Sequence, residues 1–532
     1  MMKLLRKLLK KSHRRPSTEA PIKEAPNIPE GQLGTYAENV QQLKNVFKGC
    51  NDIKLRELQP GTLTNGTIFM VYVESLSKID ALEHGISFMH SLVQPPKNLR
   101  PNETTGSMEA RKLPDFKSVV EWVLEGWSVY CLPNGEVYAV NTYLPPQRSI
   151  ERSETEGIIL GPQEAFNESI QTNLSIIRRR IKSTDLKVKA YKVGKYSQNW
   201  VAIVYMNHLA QSEYVQTLEE RVQAINIDLI MDSGDLAQMI DDNPNSPFPQ
   251  YHMTERPERI ASHLLDGKVA VFVDGTPFVL SGPASFIEFF QTSEDYANRW
   301  AAASVIRTLR IVGVLISISL SALYVAVVTY HYQMIPTDML ISLTESRARV
   351  PFPPVLETMI MELTIELLRE AGARLPAKTG QTIGIVGGIV IGQAAVSAGF
   401  ASNILIISVA LSTVASFITP SYIMSSALRA IRFGLIMLAG FWGLYGLFIG
   451  LLMMVLHFLR LTSMGAPYFS PFAPLRISDW KDTLIRAPLP FMKYRPTNTR
   501  PKDTDRQPFK KEATKRSIPT SATVDSEKGE SE

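Results

Sequence analysis

Residues 311–330 read IVGVLISISLSALYVAVVTY, a run of twenty residues without a charged side chain. A helix rises about 1.5 Å per residue, so this run is long enough to cross the hydrocarbon core of a bilayer, which is about 30 Å thick. Arg299, Arg307 and Arg310 precede it, and basic residues collect on the cytoplasmic flank of a span. The stretch therefore predicts a membrane-spanning helix that separates a soluble region from a membrane region.

Three further apolar runs follow, at 383–399, 402–419 and 434–459. Apolar runs of about 17 residues or more that recur in one chain are typical of membrane helices rather than of a soluble core. We predict a transmembrane domain over 301–460, with spans near 311–330 and at these three runs. The runs 383–399 and 402–419 meet at 400–403, where they form either a tight hairpin or one long broken helix.

The flanking charges predict the sidedness of this domain. Basic residues dominate after the last run, from Arg460 to Arg495, so both ends of the domain are predicted to be cytoplasmic. That arrangement requires an even number of crossings. Four crossings satisfy it but leave Arg429 and Arg432 outside, whereas a re-entrant 383–399 with an inserted helix at 355–373 satisfies it too. The number of crossings stays open at this point.

The residues before 300 alternate short apolar strands with helices. The runs at 67–75 and 199–206 are rich in β-branched and aromatic residues and predict strands. Asn134-Gly135 and Asp274-Gly275 each separate two such runs, which is the strongest short-range signal for a β-hairpin. The residues at 161–181 predict a helix. The fold class is therefore an α+β soluble region of two α/β lobes, followed by an α-helical membrane domain.

The predicted organisation has six parts. They are a basic N-terminal segment and Pro-rich linker (1–36), a first lobe (37–150), a linking helix (151–184), a second lobe (185–300), the transmembrane domain (301–460) and a largely disordered cytoplasmic tail (461–532). The first residues, MMKLLRKLLKK, place leucines on one helix face and cations on the other. That face suits an anionic lipid surface, and a solvated basic tail fits so short an apolar face equally well.

One segment between the apolar runs is unusually rich in charge. Residues 351–376, PFPPVLETMIMELTIELLREAGARLP, predict an amphipathic helix at 355–373, on which Thr358, Glu362, Glu366 and Arg369 form one polar stripe. Three readings are open. The helix lies in the membrane interface, or its stripe faces a water-filled path, or Glu366 and Arg369 form an i,i+3 pair that packs against a neighbouring subunit.

Small residues recur at helical spacing in the apolar runs. The spacing of four residues lets membrane helices approach closely. The predicted helix-packing residues are Gly384, Gly388, Gly392, Gly446 and Gly450. Packing within one chain and packing between subunits both fit this pattern.

The sequence lacks the motifs of common catalytic and cofactor sites. We find no phosphate-binding GxxxxGK[ST] loop, no HExxH and no GxSxG, and the eight histidines show no metal-binding spacing. Cys50 and Cys131 form no CxxC pair, which argues against a zinc site or a disulfide framework. We therefore expect no cofactor, no metal, no nucleic-acid partner and no enzymatic activity.

Long stretches of this chain resemble one known family. RSIERSETEGIILGPQEAFNESIQTNLSIIRRRI (148–181), RPERIASHLLDGKVAVFVDGTPFVL (256–280), the charged segment at 351–376 and the run at 380–422 are similar to the A subunit of the GerA-type bacterial spore germinant receptor. The similarity extends over about 37–490. The two ends of the chain are not covered.

The resemblance implies a receptor subunit in the inner membrane of the bacterial endospore, with both termini on the spore-core side. It implies a transporter-like B subunit and a lipoprotein C subunit as partners, and a homo-oligomeric ring around an ion path. On that basis, Glu362, Glu366 and Arg369 are predicted to line or gate the path, with Met361 and Leu368 as apolar neighbours. A non-conducting scaffold is the alternative, and a secondary transporter is disfavoured by the small number of spans. The germinant is not specified.

Overall fold

The computed structural model describes residues 32–58, 67–93, 110–143, 153, 156–375, 388 and 390–506. The predicted basic segment up to residue 31, Gly384 and the last tail residues, 507–532, lie outside these ranges. The chain forms two compact units. Of the described residues, one unit contains those from 32 to Ala284 together with Thr462–Gly465, and the other contains those of Ser285–Leu461 and from Ala466 to 506.

The first lobe of the first unit is a five-stranded sheet between helices. In chain order its elements are α1 (Tyr36–Val46), β1 (Ile53–Leu58), β2 (Ile68–Val73), α2 (Ile79–Val93), β3 (Ala110–Lys112), α3 (Phe116–Leu124), β4 (Ser128–Cys131) and β5 (Val137–Val140). The strand order is β1-β2-β4-β5-β3, and every neighbouring pair is antiparallel. Asn134-Gly135 lies between β4 and β5, at the predicted hairpin.

The sequence of strand β2 is apolar throughout because both faces of the sheet are covered. Val71 and its alternate neighbours pack in a cluster with residues of α1 and α3. Met70 and the residues that alternate with it pack against α2 on the opposite face. Because both faces are covered by helices, all six residues of β2 are buried, and the sequence IFMVYV carries no polar alternation.

The second lobe repeats this topology. Its elements are α4 (Ile170–Arg180), β6 (Leu186–Val193), β7 (Asn199–Met206), α5 (Ser212–Ala224), α6 (Ser233–Ile240), β8 (His252–Thr254), α7 (Pro257–Leu265), β9 (Val269–Val273) and β10 (Val279–Gly282). The strand order, β6-β7-β9-β10-β8, matches that of the first lobe position by position, and all pairs are antiparallel. Helices α4 and α7 contribute to one apolar cluster with the sheet.

Helix α4 begins later than the sequence predicts. The prediction of a helix at 161–181 is wrong for its first nine residues, because Ser169 has extended backbone and caps the helix by accepting a hydrogen bond from the Thr172 amide. Asn173 reinforces the cap by bonding both the amide and the carbonyl of Asn167. The side-chain bonds of Asn173 and Ser169 replace the backbone bonds that a longer helix would make.

The second unit is mainly helical. Its elements are a 3₁₀ turn (Phe286–Phe290), α8 (Glu294–Ala297), α9 (Trp300–Tyr330), α10 (Thr337–Arg347), α11 (Pro354–Arg374), α12 (Asn403–Ser416) and α13 (Tyr422–Arg460). Among the described helices, α9 and α13 are long and apolar enough to cross a bilayer when the 39 residues of α13 are counted as one helix. Helix α12 is apolar but has only 14 residues.

Helix α13 folds back on itself at Gly443. Gly443 has φ 59° and ψ −137°, a conformation that interrupts the helix and that only glycine adopts readily. A Cβ on Gly446 would collide with the carbonyl of Leu438, and a Cβ on Gly450 would collide with the side chain of Leu435. Residues 422–442 (the first arm) and 444–460 (the second arm) are therefore antiparallel neighbours.

Contacts give the direction of the other helices. Tyr330, at the end of α9, donates hydrogen bonds to the carbonyls of Gly440 (3.1 Å) and Phe441 (3.0 Å), which the reversal leaves free of helical partners. The tip of the hairpin therefore lies at the C-terminal end of α9. Val355, at the start of α11, also lies against Gly440, so α11 runs antiparallel to α9.

Helix α12 is antiparallel to α9 as well. Tyr324 bonds Ser402 at the start of α12, whereas Gly313, near the start of α9, lies against Ala415 at its end. The second arm returns in the same direction, and the ring of Phe458 lies 4.5 Å from that of Phe286, which precedes α9. The start of α9 and the end of α13 thus lie at one end of the helical unit.

These observations change the predicted spans. The prediction of one continuous span at 434–459 is wrong, since the reversal at Gly443 divides that run between two antiparallel arms. A span at 402–419 is not supported by α12, because it contains too few residues for a perpendicular crossing. The run at 383–399 lies partly outside the described residues. The four predicted spans therefore do not correspond to four observed helices.

The segment after α13 is folded up to residue 506. The prediction of a largely disordered tail from 461 is wrong for this part. Asp482 accepts a hydrogen bond from Arg307 at 2.9 Å, and Arg307 also pairs with the buried Asp295. Arg310 donates to the same Asp295 carboxylate at 2.8 Å. Although burial alone would raise the pKa of Asp295, the bonds from Arg310 and the two positive charges lower it below its ordinary value.

Candidate functional site

The polar stripe of α11 faces the interior of the helical unit. Thr358 and Glu362 are fully buried, Glu366 is 33% exposed at its side chain, and Arg369 is half-buried. The opposite face of α11 exposes large apolar side chains, including Leu363 and Leu367. The helix is therefore amphipathic as predicted, but its polar side is the covered one.

Glu362 forms the most deeply buried ion pair of the site. Its Oε2 lies 3.0 Å from Nη2 of Arg432 on the first arm of α13, and the two side chains are 0% and 1% exposed. Ser321 of α9 donates to Glu362 Oε1 at 2.6 Å, and its hydroxyl lies 3.0 Å from that of Ser412 on α12. Four helices thus contribute one polar side chain each to a single network.

A second network lies one turn further along α11. Glu366 accepts a bond from Arg429 at 3.1 Å and one from Arg369 at 3.3 Å, so one carboxylate is shared by two guanidinium groups. Arg369 also donates to Ser416 of α12 at 2.9 Å and lies 4.7 Å from the ring centre of Phe417. The predicted i,i+3 contact of Glu366 with Arg369 is present, and the two side chains also contact Arg429 of α13 and Ser416 of α12.

Glu357 extends the polar stripe towards the start of α11 and was not predicted from the sequence. It is 0% exposed and accepts a hydrogen bond from the backbone amide of Ser402 at 2.6 Å. Arg347 of α10 lies 3.8 Å from its other carboxylate oxygen. Glu357 thereby joins the N-terminus of α12 to α11, where the free amides of a helix favour a negative charge.

The sequence also failed to identify Arg429 and Arg432 as part of the site. They were interpreted as flanking charges of a span, which four crossings would leave outside, whereas the structure buries them between helices. Arg429 and Arg432 are three residues apart and Glu362 and Glu366 are four apart, so each pair lies on one face of its helix, about one turn apart. The two pairs can therefore meet across antiparallel helices. That complementary spacing is the signal that could have found them.

The other predicted site residues are distributed unevenly. Met361 is buried beside Glu362, and Leu368 is half-buried. Gly388 and Gly392 have open space where a Cβ would lie, whereas Gly446 and Gly450 lie in the tight contact between the two arms of α13. The structure therefore joins Glu362 to α13 and leaves open space around Gly388 and Gly392 in a single chain.

The first unit contains a separate concave surface. A cavity of about 460 Å³ lies between the first lobe and the end of α4. Its lining residues are Leu76, Leu124, Glu125, Trp127, Asn141, Tyr143, Arg179 and Lys182. Lys182 and Glu125 form an exposed ion pair at 3.6 Å across it. Within the ranges that the structure describes, no group of three His, Cys, Asp or Glu side chains is placed to hold a metal ion.

Comparisons with known proteins converge on one family. The family model described as "Bacillus/Clostridium GerA spore germination protein" matches residues 41–498. The chain is similar to spore germination protein GerQA of Bacillus cereus, with 46% identity over 363 residues, which are 68% of this chain and 73% of that protein. It is also similar to YfkQ of Bacillus subtilis (strain 168), described as an uncharacterized membrane protein, with 37% identity covering 86% of this chain and 90% of that protein.

One solved structure is also similar. It is the crystal structure of the N-terminal domain of the A subunit of the Bacillus megaterium spore germinant receptor GerK3. The identity is 28%, the match covers 48% of this chain and 98% of that domain, and the TM-score is 0.37.

Proposed function

This chain belongs to the GerA family of spore germination proteins, and we propose that it is the membrane subunit through which a nutrient germinant receptor gates or conducts ions. It acts in the inner membrane of the bacterial endospore, as a multi-pass protein with both ends on the spore-core side. Its partners are a transporter-like B subunit, a lipoprotein C subunit and further copies of itself. It performs no chemistry on a substrate.

The observation that carries this proposal is the line of paired acidic and basic side chains inside an apolar helical unit. Glu362 and Glu366 lie on α11 and pair with Arg432 and Arg429 on α13. Charged groups placed between apolar helices are costly, and in membrane proteins they mark ion paths and gates. Separation of α11 from the first arm would expose two carboxylates and two guanidinium groups to a path between subunits.

A specific observation favours a second function, a non-conducting scaffold. Glu362 and its partner Arg432 are fully covered in a single chain, so the pair stabilises the helical unit as it is. In that case, the α/β lobes and the helical unit transmit a signal by docking partner subunits.

Ion flux through the purified full-length chain in liposomes separates the two functions. We expect flux that falls at least several-fold in Glu366→Gln, because its carboxylate is the partly exposed member of the line. Glu370→Gln is the matched control, since Glu370 lies four residues later on the same helix, is exposed, and pairs only locally with Arg374. Equal flux in Glu366→Gln, Glu362→Gln and the parent chain would contradict the conducting role, and no flux even with both partner subunits present would support the scaffold.

A further inference from the structure

The charges inside the helical unit do not balance. Arg369, Arg429 and Arg432 form one contiguous group with Glu362 and Glu366. Three guanidinium groups therefore face two carboxylates. Helices α9 and α12 pack against this group, and residues 311–330 and 403–416 carry no charged side chain. Neither helix supplies the missing negative charge.

The hydrogen-bond donors of Arg432 are also largely unused. Nε and Nη1 have no hydrogen-bond partner among the described residues, and Nη2 is near Glu362 Oε2 without hydrogen-bond alignment. The residue is only 1% exposed. Five guanidinium N–H donors buried in this way are costly, because water no longer hydrates them. An acceptor that is absent from the polypeptide would remove that cost.

Arg369 shows the same deficit one turn away. Its Nη1 and Nη2 bind Glu366 and Ser416, but its Nε is buried and has no hydrogen-bond partner in the part of the chain that the structure describes. The carboxylate of Glu366 already accepts hydrogen bonds from both Arg369 and Arg429. The excess positive charge and the unused donors therefore occur in the same group of side chains.

From these two observations we propose that the helical unit binds one small inorganic anion, of the size and charge of chloride, between α11 and the first arm of α13. Arg432 Nε and Nη1 donate to it. Water would accept the same hydrogen bonds, but it would leave the excess charge uncompensated in an apolar surrounding, where an unpaired charge is costly. The anion satisfies both requirements. This inference concerns binding by a single chain and does not depend on the proposed ion conduction.

Chloride binding to the purified full-length chain tests the proposal directly. Radioactive chloride is added to the protein in detergent, with gluconate keeping the ionic strength constant because it is too large for such a site. We expect saturable binding of one chloride per chain. In parallel, chloride in place of gluconate should raise the unfolding midpoint by about 2–4 °C, since a ligand that binds only the folded state stabilises it.

The decisive variant is Glu362→Gln/Arg432→Gln, which removes the donors proposed for the anion and leaves neither member of the pair buried without the other. It should lose the saturable chloride binding and the chloride-dependent shift of the midpoint. Arg374→Gln is the control, because it also removes one guanidinium group from the same unit, but at an exposed position on α11. It should bind chloride as the parent does. Absence of saturable binding in the parent, or undiminished binding in the double variant, would overturn the proposal and leave water as the acceptor.

Discussion

Leu435 packs against Gly450, although fifteen residues separate them within one helical element. In a straight helix these residues would be about 22 Å apart. Their contact requires the chain reversal at Gly443, and it requires the absence of a side chain at Gly450. The spacing of Gly446 and Gly450 therefore serves the contact between the two arms of α13, and the tight turn depends on a residue that tolerates positive φ.

Replacement of Gly443 by alanine should destabilise the helical unit. The new Cβ would adopt a strained backbone conformation and would lie against Tyr330 and His331, so the free energy of unfolding should fall by about 1–3 kcal/mol. Thermal unfolding of the full-length chain in detergent measures the change. Gly434→Ala is the control, because its Cβ would meet open space, and alanine favours the helix. Equal unfolding midpoints for the two variants would contradict the reversal at Gly443.

The ion pair between Asp52 and Arg178 should be the most sensitive polar contact of the first unit. Both side chains are 1% exposed, and Arg178 donates to both carboxylate oxygens at 2.6 and 3.0 Å and to the carbonyl of Leu186. Asp52 follows α1 in the first lobe and Arg178 lies on α4, so the pair joins the two lobes. Asp52→Asn leaves a buried guanidinium group without its counter-charge and should cost about 3–5 kcal/mol in the free energy of unfolding.

The exposed pair of Lys44 with Glu57 provides the comparison for this prediction. It has a similar length, 3.0 Å, but its side chains are about half exposed. Lys44→Met should leave the unfolding midpoint of the full-length chain nearly unchanged, because solvent screens exposed pairs. A loss in Asp52→Asn as small as that in Lys44→Met would show that the two lobes are held together without the buried pair.

The stability of the first unit should fall as the pH rises towards neutrality. Burial and the negative charge of Asp242 together raise the pKa of Asp241 to about 7, although the positive charge of Arg221 opposes both. An unfolded aspartate has a pKa of about 3.9, so between these values the folded state holds a proton that the unfolded state has lost. Stability from this group is complete below about pH 4 and is lost as the pH passes through about 7.

Thermal unfolding between pH 5 and pH 8 measures this effect. Over this interval the midpoint of the parent chain should decline relative to that of Asp241→Asn, because the buried carboxyl loses a proton and the amide has none to lose. Asp228→Asn replaces an exposed aspartate of the same lobe and should retain the parent's decline. A decline in Asp241→Asn as steep as in the parent would assign the pH dependence to other groups.

Both cysteine thiols should resist alkylation in the folded chain. Cys50 and Cys131 are free and buried, and burial raises the pKa of both thiols, that of Cys131 to about 12. The reactive thiolate is therefore scarce and inaccessible. Maleimide labelling, read by mass spectrometry, should modify neither residue in the native protein and both after denaturation. Rapid native labelling of Cys131 would contradict its place in the core of the first lobe.

The strands and hairpins of the lobes were predictable because each is specified by a few consecutive residues. The apolar run of β2 and the Asn134-Gly135 turn each define an element within a few residues. The shared strand order of the two lobes was not predictable, since it depends on pairing between strands distant in the chain. The late start of α4 was missed for a related reason, because the cap at Ser169 depends on Asn167 and Asn173 acting together.

The helical unit was predicted less well, because hydropathy shows that a run is apolar but does not show where the chain reverses its direction. The run at 434–459 is apolar throughout, and only the backbone of Gly443 shows that it reverses. Glu362, Glu366 and the contact of Glu366 with Arg369 were predicted from their spacing on α11, but Glu357 and the partners on α13 were not. Arg429 and Arg432 carry charges typical of a membrane flank, and their pairing with Glu366 and Glu362 depends on the antiparallel packing of two distant helices.

The reversal at Gly443 also decides at which end of the helical unit the chain leaves α13. The second arm returns the chain to the level where α9 begins, and only there can Asp482 reach Arg307. A stop codon soon after Gly443 would leave the new C-terminus at the opposite face and would also remove Asp482, one of the two acidic partners of Arg307. A fusion tag placed after residue 506 should be accessible from the same side as one placed just before α9, whereas a tag fused to a chain ending at 443 should be accessible only from the other.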